Sequence, residues 1–166
     1  MKPTVYVDTN ILSLLYVSSA DPEMMRQSGI THDWWECERQ HFRVFASQAV
    51  DDELADGRYP GQERALKCVR RLPYLGPRSA IRDISAKVLA TGILPETEVG
   101  DALQLAIATA HSIDYLLSWN RAHLVNPITQ AKLAHFRAAW GWRTPLVVTP
   151  ESIPSVRLGQ SIRRRD

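Results

Sequence analysis

Short apolar runs alternate with amphipathic stretches along this 166-residue chain. Runs rich in β-branched and other apolar residues predict strands at residues 5–7, 42–46, 114–118 and 146–149. Apolar residues recur at helical spacing after the first run and over residues 48–56, 62–72, 79–90, 99–113 and 126–140. Strands that alternate with helices in this way predict an α/β fold with a mostly parallel sheet of four to five strands, covered on both faces.

The boundaries of these elements carry their own signals. The expected helix starts are the capping residues Ser47 and Asn126, and the expected stops are Gly57, Gly92 and Gly141. Between the first two strands, Asp21 and Pro22 predict a short helix. The capping-box spacing of Asp33 and Glu36 predicts a separate helix that runs to about His41. Residues 73–76 fit a short edge strand.

The composition fits a single soluble domain, with 45% hydrophobic and 23% charged residues. No apolar run is long enough to span a bilayer. Residues 1–3 lead directly into the first predicted strand, so we expect no signal peptide and a cytoplasmic protein. Cys37 and Cys68 lack the spacing of a metal motif or a disulfide framework, and we expect both to be reduced and structural.

The net charge of +2 hides an uneven distribution. From Trp119 onward the chain contains only two acidic residues, Glu151 and Asp166, but eight basic ones. The basic residues are Arg121, Lys132, Arg137, Arg143, Arg157, Arg163, Arg164 and Arg165. This excess permits an anionic partner at the C-terminal side, although solvated surface charge is the commoner explanation.

Four polar residues are placed by the predicted topology near one edge of the sheet. Asp8 ends the first strand and Asn120 follows the third, and the carboxyl ends of parallel strands share an edge. Glu53 and Asp101 lie on helices that can lean over that edge. Converging oxygen ligands suit a hard divalent cation such as Mg²⁺ or Mn²⁺, which can activate water and stabilise charge on a phosphodiester.

Each of these residues also has a purely structural explanation. Asp8 can cap the following helix, and Asp101 in a first helical turn is favoured by the helix dipole. Glu53 can belong to a solvated face, and Asn120 can hold a turn. Spacing alone therefore leaves the metal site and the structural roles as alternatives.

Four motifs in order resemble the PIN domain, and within it the VapC-like group. They are Val5-Tyr6-Val7-Asp8-Thr9-Asn10-Ile11-Leu12, then Ser47 followed after five residues by Glu53-Leu54, then Gly100-Asp101-Ala102-Leu103-Gln104-Leu105-Ala106, and finally Asp114-Tyr115-Leu116-Leu117-Ser118-Trp119-Asn120. The resemblance covers nearly the whole chain and ends near Ile153. It implies a PIN-like nuclease domain over residues 1–155, a three-layer α/β/α sandwich, followed by a basic tail over 156–166.

The resemblance also implies an activity, namely Mg²⁺- or Mn²⁺-dependent cleavage of RNA. Asp8, Glu53 and Asp101 would be the acidic metal ligands. Asn120 falls where many members carry a further aspartate. Its amide oxygen can still ligate a metal ion, but it carries no negative charge, so the number of bound ions, one or two, stays open. The residues expected to contact the ligands or the substrate phosphate are Thr9, Ser118 and Arg121, with Asn10 supporting them and His123 as an alternative to Arg121.

The VapC-like group further implies a small antitoxin partner and a homodimer. Met24, Met25, Trp34 and Trp35 are candidates for such a contact, with core packing as the alternative for at least half of them. A housekeeping RNA-processing nuclease and a non-catalytic RNA- or protein-binding module remain as other functions. A haloacid-dehalogenase-like phosphatase is disfavoured, because that chemistry needs an aspartate where Asn10 stands.

Overall fold

Four parallel strands form the centre of the structure, a computed structural model that describes residues 1–155. The strands are β1 (Thr4–Val7), β2 (Arg43–Phe45), β3 (Tyr115–Leu117) and β4 (Leu146–Val148), in the order β2-β1-β3-β4. Val5 pairs with Val44 on one side and with Tyr115 on the other. All four strands occur where the apolar runs predict them, and their carboxyl ends lie along one edge.

Helices cover both faces of this sheet. Their bounds are α1 Thr9–Leu14, α2 Pro22–Asp33, α3 Gln48–Asp56, α4 Gln62–Val69, α5 Ala80–Ala90, α6 Val99–Ala110 and α7 Pro127–Trp140. Val5, Tyr6 and Val7 are all fully buried. Because successive residues of a strand point to opposite faces, their burial confirms that the sheet is covered on both sides. The chain therefore has the predicted α/β architecture.

The predicted helix caps are confirmed at three positions. The side chains of Asp21, Ser47 and Asn126 accept hydrogen bonds from the backbone N–H groups of Met24, Val50 and Thr129. Each bond satisfies one of the donors that a helix N-terminus leaves without a partner. The alanines of α6 let it pack closely, since Ala102, Ala106 and Ala108 are fully buried.

The segment from 21 to 41 differs from the sequence prediction. The helix opened by Pro22 runs to Asp33 and passes directly into a π-helical turn (Trp34–Glu38) and a 3₁₀ turn (Arg39–His41). Asp33 has helical backbone angles and its side chain makes no capping bond. The prediction of a new helix at Asp33 is therefore wrong, because a capping box requires an extended residue at the cap.

Trp34 and Trp35 are only 3% and 8% exposed, and the ring of Trp34 packs on Phe42. Both tryptophans are therefore largely buried, as the core-packing alternative expects, whereas Met24 and Met25 are exposed. Residues 73–76 contribute a single bridge, Ala46 to Tyr74, instead of a strand. Pro73 accepts from the Ala46 N–H but has no N–H of its own to continue the pairing.

The remaining sequence expectations concern the basic tail, the cysteines and membrane spans. The basic tail over 156–166 lies outside the described residues. Cys37 and Cys68 are free cysteines, and Cys37 is exposed, so it has no structural role in the core. None of the helices in residues 1–155 is both long and apolar enough to cross a membrane.

Candidate active site

Asp8 links the first strand to the first helix and lies at the centre of the candidate site. Its N–H donates to the Leu117 carbonyl (3.0 Å), which extends the β1–β3 pairing by one residue. Its side chain is 5% exposed, and Oδ1 accepts from the Thr9 N–H at 2.7 Å, so Asp8 does cap α1. Oδ2 accepts from the Ser118 hydroxyl (2.6 Å) and from Asn10 Nδ2 (2.9 Å). The capping role and a place in a polar site are thus compatible.

Asn10 and Ser118 connect the start of α1 to the end of β3. Asn10 Nδ2 also donates to Ser118 Oγ (3.1 Å), and its Oδ1 accepts from the Trp119 N–H (3.0 Å). Ser118 Oγ in turn accepts from the Asn120 N–H at 3.0 Å. These bonds fix the position of Asp8 relative to the loop that follows β3.

Glu53 reaches the same edge from α3. Its Oε2 accepts from the Thr9 hydroxyl (2.9 Å) and from Gln104 Nε2 (3.3 Å), while the residue as a whole is exposed. Glu53 therefore faces the site and is not merely part of a solvated surface.

A chain of hydrogen bonds, in which each donor and acceptor is fixed, runs from Ser47 through Tyr6 and Gln104 to Glu53. The Tyr6 hydroxyl donates to Gln104 Oε1, and its remaining contact is Ser47 Oγ at 2.6 Å. Because Gln104 Oε1 can only accept, Ser47 must donate to Tyr6, and the Gln104 amide must point its NH₂ group at Glu53. Burial raises the pKa of the Tyr6 hydroxyl, so it remains a donor at neutral pH. Sequence reasoning missed Tyr6 and Gln104; the signal was a polar residue on the buried face of α6.

Asp101 and Asn120 form the other side of the site. Asn120 Nδ2 donates to Asp101 Oδ2 (2.7 Å), while its Oδ1 accepts from the His123 N–H (3.1 Å). The amide oxygen of Asn120 is thus directed at its own loop. Burial, followed by the charges of Glu98 and Glu53, raises the pKa of Asp101, against the opposing effects of His123 and Asn120.

The negative charges of Glu53 and Asp101 act on Asp8. The pKa of Asp8 is raised to about 6, chiefly by burial and then by these two charges, although the Ser118 and Thr9 hydrogen bonds oppose the shift. Mutual repulsion of this kind is what a divalent cation relieves. Across residues 1–155, however, no three His, Cys, Asp or Glu side chains are close enough to share an ion as they stand. Carboxylate oxygens are suitable ligands for a hard cation. In the structure, these oxygens accept hydrogen bonds from neighbouring side chains and backbone groups.

Arg121 is engaged elsewhere. Its guanidinium pairs closely with Glu151, which also binds Arg26 at 2.9 Å, and it lies 5.8 Å from the centre of the Trp119 ring. The predicted contact of Arg121 with a substrate phosphate would compete with this ion pair. His123 lies beside a different carboxylate, with Nε2 at 3.6 Å from Glu98.

Comparison with known proteins supports the fold alone. No protein-family profile matches the chain, and no curated protein sequence matches it. Among solved structures, the chain is similar to one described as "Structure of FitAB bound to IR36 DNA fragment". The TM-score is 0.53 at 12% identity, covering 92% of this chain and 99% of the other. The two chains share their overall fold, and the present chain has a PIN-like α/β fold.

Proposed function

We propose that this protein is a metal-dependent ribonuclease that hydrolyses RNA phosphodiester bonds. The observation that supports this most is the placement of Asp8, Glu53 and Asp101 along the carboxyl edge of a PIN-like sheet, where each carboxylate is held from a different element. The charges of Glu53 and Asp101 raise the pKa of Asp8, as expected at a site that favours positive charge.

In this proposal Asp8, Glu53 and Asp101 hold Mg²⁺ or Mn²⁺, as one ion or two. The bound ion would supply an activated water and offset the charge that develops on the phosphate. Ser118, Asn10 and Thr9 position the carboxylates through the hydrogen bonds described above.

Asn120 takes part through Asp101, to which its amide donates. Ligation by its oxygen stays a prediction; that oxygen already accepts from the His123 N–H, and only its second lone pair is available. Arg121, if released from Glu151, would place a positive charge near the substrate phosphate.

We also propose that the nuclease is the toxin of a toxin–antitoxin pair in the cytoplasm, and that it forms a homodimer. Support comes from the VapC-like motifs and from the likeness to FitAB, a toxin–antitoxin complex bound to DNA. The exposed Met24 and Met25 on α2 are candidates for the antitoxin contact.

The test is cleavage of a structured RNA pool with Mg²⁺, with Mn²⁺ and with chelator. Wild type should cleave only with metal, and Asp8→Asn and Glu53→Gln should lose at least about 100-fold in rate, because a ligand is removed. Asp52→Asn is the matched control, since Asp52 lies next to Glu53 but is exposed and binds Gln48. Failure of folded wild type to cleave with either ion would refute the nuclease and favour a binding module.

A further inference from the structure

A basic cavity of about 360 Å³ opens between the end of α1, the π-helical turn and α4. We call it the α4 pocket and define it by six of its lining residues: Tyr16, Trp35, Arg39, Arg64, Lys67 and Arg71. Four of them are cations, and no carboxylate lines the cavity. A concave surface with this charge attracts an anion.

Aromatic rings orient two of the guanidinium groups. Arg64 lies over the Tyr16 ring at 4.8 Å from its centre, and Arg39 lies over the Trp35 ring at 4.7 Å. Such contacts hold an arginine plane in place and leave its N–H groups available. Arg64 and Arg71 also act together on the Tyr16 hydroxyl: its pKa is raised to about 12, chiefly by burial and also by Cys68, and both positive charges oppose that rise.

The charges of this pocket are mostly unneutralised. Within residues 1–155, Lys67 pairs with Glu63 at 2.9 Å, and no ion pair involves Arg39, Arg64 or Arg71. Neighbouring Arg70, by contrast, is bound by Asp51 at 2.8 Å. Three arginines that converge without a carboxylate repel one another, and a bound anion would remove that repulsion.

Two elements connect the pocket to the acidic centre formed by Asp8, Glu53 and Asp101. Thr9, which contacts Glu53, opens α1, and this six-residue helix rises about 9 Å and ends at Leu14, two residues before Tyr16. On the other side, Gln62 of α4 donates to the Leu54 carbonyl (2.9 Å), directly after Glu53 on α3. A flexible strand bound at one place can therefore reach the other.

We propose that the α4 pocket binds the sugar–phosphate backbone of the RNA strand whose scissile bond lies at the acidic centre. This inference rests on the proposed function. RNA is favoured over an acidic protein segment because guanidinium planes backed by rings match both phosphates and base faces. The arrangement also explains how a site of three carboxylates acquires a polyanionic substrate.

The experiment measures binding of a fluorescently labelled 20-nucleotide single-stranded RNA by anisotropy. All proteins carry Asp8→Asn to prevent cleavage, and the salt concentration is varied. Arg64→Glu with Arg71→Glu tests the pocket. Arg82→Glu with Arg137→Glu is the control, because it changes the net charge equally at exposed positions of α5 and α7. Circular dichroism and thermal unfolding check that each variant is folded.

The pocket variant should bind RNA at least about tenfold more weakly than the control. The slope of the logarithm of the binding constant against the logarithm of the salt concentration should fall by about 1.4, or about 0.7 for each phosphate that the protein no longer neutralises. Equal weakening in both variants would overturn the proposal, because net charge alone would then explain binding. Competition by oligoglutamate as strong as by unlabelled RNA would overturn it in favour of an acidic protein ligand. Cleavage by wild type is measured separately: binding through the pocket without cleavage would refute the nuclease and leave the pocket standing.

Discussion

Replacing Asp8 by asparagine should stabilise the metal-free protein at neutral pH, even though it removes the proposed activity. The carboxylate is buried and lies in the field of Glu53 and Asp101, so its ionised form is disfavoured in the folded state. In the unfolded chain it ionises freely. A neutral side chain of the same shape avoids this electrostatic cost and can still accept from the Thr9 N–H.

The magnitude follows from the shift in the pKa of Asp8 from 3.8 to about 6. At about 1.4 kcal/mol for each unit, ionisation of Asp8 costs the folded state about 3 kcal/mol above pH 6. Asparagine puts an NH₂ group where Oδ2 accepts from the Ser118 hydroxyl and the Asn10 amide, and the loss of these two bonds costs about 1 kcal/mol each. The net gain in the free energy of unfolding is therefore about 1 kcal/mol.

The effect should depend on pH with a defined sign. Between pH 4 and 6 the folded protein holds the Asp8 proton more tightly than the unfolded chain does. The stability of the wild type relative to Asp8→Asn therefore falls as pH rises through this window, and is lowest above pH 6. Below about pH 4 the carboxyl is neutral in both states, so this difference disappears.

Urea unfolding followed by tryptophan fluorescence, in chelator at pH 7.5 and pH 4, measures both effects. Asp51→Asn is the control, because buried Asp51 is held by Arg70 (2.8 Å) and Tyr74 (2.7 Å), which keep its pKa low. It should lose stability, by about 1–3 kcal/mol at pH 7.5. If Asp8→Asn is destabilised as Asp51→Asn is, or shows no dependence on pH, the reasoning about the acidic centre is refuted.

Three further predictions concern substitutions at tyrosine and glycine positions. Tyr6→Phe should cost about 1–3 kcal/mol of stability, because the Ser47 hydroxyl loses its acceptor and Gln104 Oε1 loses its donor. It should also weaken Mn²⁺ binding, because the Gln104 amide is then free to turn away from Glu53. Tyr59→Phe should be nearly neutral in the same urea unfolding, because the buried Tyr59 hydroxyl has no partner within residues 1–155. Gly61→Ala should destabilise the protein by more than about 3 kcal/mol, since φ is +95° and a Cβ would lie 2.2 Å from the Tyr16 carbonyl oxygen. Gly92 has φ +67° but open space around it, so Gly92→Ala should cost only about 1 kcal/mol. Thermal unfolding measures both. Equal effects of the two tyrosine substitutions, or of the two glycine substitutions, would contradict these contacts.

The sheet and its caps were predictable because their signals are local. The run from Val5 to Val7 is apolar at successive positions, which a strand buried on both faces requires, and Ser47 and Asn126 cap the helices that they precede. Local signals also misled, because Asp33 and Glu36 have capping-box spacing whether or not a helix already runs through them.

The geometry of the site could not be predicted in the same way. The residues of the buried chain are brought together by folding, with Tyr6 and Gln104 separated by 98 positions. The direction of the Asn120 amide depends on the His123 N–H, and the ion pair of Arg121 depends on Glu151, which follows the last strand. The sequence predicts which groups reach the edge of the sheet; only the packed chain determines what each group contacts.

Mn²⁺ binding, followed by electron paramagnetic resonance at pH 7.5, tests the central claim most directly. The account predicts saturable binding of one or two ions by wild type and by Asp52→Asn, with affinity lowered at least about tenfold in Asp8→Asn and in Glu53→Gln. Binding that is equal in all four proteins, or absent from folded wild type, would contradict a divalent-ion site built from Asp8, Glu53 and Asp101.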